Sequence, residues 1–67
     1  MNVYVTPNAD WSCKEYTTEL TDIQVVADIY GDADDTVALY DNNDELVAVA
    51  YWPMGYKHYQ YKHYKRV

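Results

Sequence analysis

The sequence predicts one small α+β domain: an antiparallel sheet of about four to five strands with one short helix packed on it, an all-β meander being the alternative. Three observations lead there. Short β-branched and aromatic runs are separated by turn signals, one segment carries the flanks of a helix, and 67 residues leave room for a single core. A domain of this size buries only roughly 60% of the surface its unfolded chain exposes, so a homo-oligomer that extends the core stays an open option.

Residues 2–6 (NVYVT) form the first expected strand, stopped by the turn signal Pro7-Asn8. Residues 11–18 (WSCKEYTT) alternate weakly and predict a second. Trp11, Cys13 and Glu15 fall on one side of it, Lys14, Tyr16 and Thr18 on the other. Residues 21–31 fit two periods. Ile23, Val26, Ala27 and Tyr30 make a helical stripe, whereas Ile23, Val25, Ala27 and Ile29 suit a strand. The flanks decide for a helix. Thr21 and Gln24 have capping-box spacing, Asp22 suits the positive end of the helix dipole, and Gly31 suits the left-handed position past the last turn.

After the acidic connection Asp32-Ala33-Asp34-Asp35, residues 36–40 and 45–52 flank Asp41-Asn42-Asn43-Asp44, a cluster tolerant of tight-turn geometry, and predict a β-hairpin. Strict alternation puts Leu46, Ala48 and Ala50 on one face and Val47, Val49 and Tyr51 on the other. Both faces are apolar, as in a strand with neighbours on each side. Pro53-Met54-Gly55 ends it. Residues 56–67 (YKHYQYKHYKRV) hold a five-residue near-repeat, a period that sends the second copy to the opposite face of a strand. An edge strand guarded by charged side chains is the expectation for this basic, Tyr-rich segment, and a mobile tail is the rival. The whole chain, 1–67, reads as one domain.

Charge divides the chain. Residues 1–55 hold all eleven Asp and Glu and one cation, Lys14, a net −10; residues 56–67 carry Lys57, Lys62, Lys65 and Arg66, a net +4. Such a body repels free nucleic acid and anionic membrane and speeds encounters with basic proteins. With no long apolar run and no basic-then-apolar start, the chain reads as soluble and cytoplasmic. The one cysteine, Cys13, excludes an internal disulfide framework and reads as a small buried thiol.

Catalytic signatures are missing. Two glycines do not build a phosphate-cradling loop, and no nucleotide, nucleophile-elbow or zinc-protease pattern is present. His58 and His63, five apart, share no strand face, and Cys13 with either histidine has the types of a triad but no motif. The acidic stretch from Asp32 lacks the central Gly and terminal Glu of a calcium loop. The sequence therefore points to a non-enzyme needing no cofactor and no metal.

The expected partner is a basic protein, a nucleic-acid-binding enzyme by the sign of the charge. Asp32, Asp34, Asp35, Asp41, Asp44 and Glu45 would pair with its Lys and Arg groups, with Tyr40, Tyr51 or Trp52 as the ring anchor. In size and in the charge of residues 1–55, though in no diagnostic motif, the chain resembles the small phage-encoded inhibitors of restriction and CRISPR enzymes. The resemblance implies an inhibitor acting as a DNA mimic of the anti-CRISPR or anti-restriction type. The alternative is a nucleic-acid-binding accessory module using Tyr56, Lys57, Tyr59, Tyr61, Lys62, Tyr64, Lys65 and Arg66, where rings stack on bases and cations track phosphates. A small structural oligomer subunit is the third reading.

Overall fold

The computed structural model describes residues 1–7, 12–32 and 34–65, so Trp11 of the expected second strand and Arg66 of the tail lie outside the described residues. Strands β1 (Asn2–Thr6), β2 (Lys14–Thr17), β3 (Thr36–Tyr40), β4 (Leu46–Tyr51) and β5 (Gln60–His63) form one sheet in the order β2-β1-β3-β4-β5. Every pairing is antiparallel, and helix α1 (Ile23–Tyr30) packs against β3 and β4. The α+β expectation holds. The all-β alternative does not, for a topological reason: β2 and β3 lie on either side of β1 and run the same way, so their connection must cross the sheet, and α1 makes that crossing.

The helix stripe is the expected one. Ile23, Val26 and Ala27 are buried, and Tyr30 is half-buried against the core. Both of its ends differ in detail from expectation. The cap is Asp22, not Thr21: its carboxylate accepts the Gln24 N–H at 2.9 Å in an extended conformation, and its carbonyl accepts the first helical bond from Val26 N–H at 3.0 Å. Gly31 is extended, with φ −101°, so a left-handed cap is not what requires glycine there. Space is the reason. A Cβ at Gly31 would lie 2.6 Å from Val37 Cγ2 and closer still to the Tyr59 hydroxyl.

Strand register sorts the side chains. Val3, Val5, Val37, Leu39, Ala48 and Ala50 lie on the helix side and are all buried, and the two alanines leave room for α1 over β4. The expected alternation of β4 fails at one place. Leu39 faces Ala48 but Tyr40 faces Leu46, so Val47 is an extra residue in a β-bulge. Leu46 thereby joins Tyr40 on the opposite face, half-exposed, while Val47 is buried in the core.

The turns follow their residues. Asp44 adopts φ 62° after a turn closed by Asp44 N–H to the Asp41 carbonyl at 3.1 Å, and the Asp41 carboxylate accepts N–H bonds from Asn43 and Glu45 at 2.8 and 3.0 Å. Gly55 takes φ 83° in the turn from Pro53 to Tyr56, as a type II turn requires. Residues 60–63 of the tail form the expected edge strand. Among the described residues, no helix is long and apolar enough to cross a membrane.

Candidate functional site

The acidic side chains expected to form one surface are divided between the two ends of β3. Asp32, Asp34 and Asp35 precede the strand and Asp41, Asp44 and Glu45 follow it, so about 17 Å of extended chain separates the groups. Short-range geometry also commits several of them. The Asp35 carboxylate accepts the Asp32 N–H at 3.0 Å, and the Asp32 carbonyl accepts the Tyr59 hydroxyl. Asp41 holds the hairpin turn and, with Glu45, binds Lys65 Nζ at 2.6 and 2.8 Å. The Lys65 hydrogen bond first, then the turn N–H groups, hold the Asp41 carboxyl below the usual carboxylate range, and the same pair raises Lys65.

The ring anchors separate too. Tyr40 and Tyr51 stand on the face away from the helix, whereas Trp52 donates its indole N–H to the Tyr56 carbonyl at 2.7 Å and packs edge-on against Tyr59 at 5.2 Å. Trp52 thus braces the β4–β5 connection and is not a free anchor.

The tail does not present its rings as a row. Tyr59 is buried, its hydroxyl passing beneath Gly31 to Asp32, and burial, with Asp35 and Asp32 nearby, pushes its pKa up to about 12. Tyr61 pairs with Ala50 on the helix side, half-buried, and is also raised, by burial and then by Asp28 and Asp22. Tyr56 and Tyr64 are exposed, Lys62 Nζ lies 5.3 Å over the Tyr64 ring, and Lys65 is held by the two carboxylates. Lys57 is exposed in the connection before β5.

Cys13 is exposed rather than buried, because it precedes a short edge strand that pairs with β1 alone and whose four residues are all exposed. It contacts Thr6 Oγ1 at 3.8 Å. It stands at the β2 edge while His63 lies in β5, four strand spacings or about 19 Å away, so a Cys–His pair with His63 does not form. Among the described residues, no three His, Cys, Asp or Glu side chains converge on a point where a metal ion would sit.

What the topology does assemble is the helix-free face of the sheet. Register places Tyr4, Ala38, Tyr40, Leu46, Val49 and Tyr51 there, each half-buried or exposed. Tyr4 and Tyr40 meet edge to face, with centroids 5.2 Å apart and planes at 88°. Together with Thr6, Cys13, Ala38 and Asp44 they line a shallow hollow of about 490 Å³. The Tyr4 hydroxyl donates to Glu15 Oε1 at 3.2 Å, and its pKa is raised by that bond first, then by desolvation and by the fields of Glu15, Asp44 and Cys13. Sequence reasoning missed Tyr4, Ala38 and Glu15. The signal was present in the alternation of NVYVT and TVALY, where the residues between the core valines and leucine are aromatic or apolar rather than polar.

No known protein family, curated protein or solved structure matches this chain.

Proposed function

We propose that this protein is a non-enzymatic inhibitor that occupies a basic, nucleic-acid-binding surface of a partner enzyme. Charge carries the reading: residues 1–55 hold a net −10, offset by only +4 in residues 56–67. The mechanism is competition. Carboxylates stand where phosphates would, long-range attraction raises the on-rate, and the bulk of the domain blocks access. With the acidic groups at opposite ends of β3, the mimicry is two-pointed, spanning about five phosphate steps of one DNA strand at about 3.4 Å each along the axis.

The test is displacement of a fluorescent DNA duplex from purified restriction and CRISPR nucleases, followed by anisotropy at low and moderate salt. The expected result is displacement from at least one enzyme, weakening as salt rises, with a slower on-rate for Asp32→Asn/Asp34→Asn. Asp35 is retained in that variant because it holds the loop. Direct binding of the duplex by this protein, without displacement, would replace the inhibitor with the accessory-module reading.

A further inference from the structure

Antiparallel sheets with one covered face ordinarily turn polar side chains to water on the other. Here the face opposite α1, open among the described residues, carries Tyr4, Ala38, Tyr40, Val49 and Tyr51, an apolar centre on a strongly acidic protein. Its charges are unevenly spread. Glu15 and Asp44 act on the Tyr4 hydroxyl at the β1–β2 side, and the strand cation of this face, Lys62, sits at the far edge over its own Tyr64.

We infer that this helix-free face is the docking surface for a cationic segment of the partner protein, with an Arg or Lys side chain entering the Tyr4–Tyr40 hollow between Glu15 and Asp44. The inference rests on the inhibitor reading and specifies its contact. Two perpendicular rings, with Asp44 in the lining and Glu15 on the Tyr4 hydroxyl, suit a guanidinium: its plane lies against a tyrosine face, and its N–H groups reach carboxylate oxygen. The Lys62–Tyr64 contact is the same cation–ring chemistry within the chain. A second copy is the poorer occupant. It would bring another net −6 onto the face, its strand cation there, Lys62, set against a repeated Glu15 and Asp44.

The experiment titrates the ¹⁵N-labelled full chain with a nona-arginine peptide at low salt and compares two variants of equal charge. Glu15→Gln/Asp44→Asn alters the hollow and is compatible with the fold, since Gln still accepts the Tyr4 hydroxyl and Asn tolerates the positive φ at position 44. Glu19→Gln/Asp28→Asn removes two exposed carboxylates elsewhere. The expected result is saturable amide shifts centred on Tyr4, Ala38, Tyr40 and Val49. Binding should weaken about tenfold in the first variant and much less in the second. Equal weakening, or shifts centred on residues 28–35, would overturn the docking surface while leaving the inhibitor reading intact. No saturable binding by the unmodified protein would sink both. Concentration-dependent shifts on this face without peptide would assign it to a second copy instead.

Discussion

The two faces of the sheet are built from the same three strands and have opposite fates. On one, Val3, Val5, Val37, Leu39, Ala48 and Ala50 are sealed by Ile23, Val26 and Ala27 of α1. On the other, no second layer of described residues lies over Tyr4, Ala38, Tyr40, Val49 and Tyr51. The difference teaches that hydropathy alone does not mark the inside of so small a protein. A single eight-residue helix covers one face only, and apolar residues on the second are left for another use. Aliphatic side chains fill the covered face. Tyrosines dominate the open one, where a ring with a polar end tolerates water and also serves for contact.

The sharpest way to break this comparison is a pair of truncations. Leu39→Ala is expected to cost about 3 kcal/mol in urea unfolding, because it opens a cavity in a fully buried site. Val49→Ala, half-exposed on the other face, is expected to cost less than about 1 kcal/mol. Equal costs would mean that the open face is covered in solution.

Next in size is Gly31→Ala, expected to cost about 2 kcal/mol because the new methyl overlaps Val37 and the Tyr59 hydroxyl beneath α1. A neutral result in thermal unfolding would show that the close approach is not needed. Tyr59→Phe leaves the ring but removes the hydroxyl that donates to Asp32, for about 1 kcal/mol. It also carries a pH signature. The folded phenol is raised from 10.0 to about 12, so its contribution is complete below pH 10 and is lost as pH rises through about 12. The slope of stability against pH in that range should be shallower in Tyr59→Phe, and an unchanged slope would remove Tyr59 as its source.

The smallest effect belongs to Lys65→Met, at the exposed pair with Asp41 and Glu45. Asp41 is held below 3.8, so its contribution is present above about that pH and lost as pH falls through the lowered value. Without Lys65 the acid-side loss should shrink, and the difference from the unmodified protein should close at 1 M salt. Identical acid limbs in the two proteins would show that the ion pair does not couple to folding.

Local pattern carried much of this fold. NVYVT with its Pro-Asn stop, the hairpin around Asp41-Asn42-Asn43-Asp44, and the helical stripe Ile23, Val26, Ala27 each follow from residues close in sequence, because turn geometry, side-chain alternation and helix periodicity are short-range. The errors had non-local causes. The bulge that buries Val47 and turns Leu46 outward depends on how β3 and β4 meet, and the need for Gly31 depends on Tyr59, 28 positions later. The spacing of the acidic groups is likewise set by the fold, which puts the length of β3 between them.

By itself, then, the sequence determined the α+β class, the elements, the sign of the body's charge and the residue types available for contact. Tertiary structure alone decided which of them stand together. It buried Tyr59, tied Lys65 to Asp41 and Glu45, and set Tyr4 beside Tyr40 on an uncovered face. The physical reason is that composition and periodicity constrain each segment separately, whereas a surface is made by register and strand order between segments far apart in the chain.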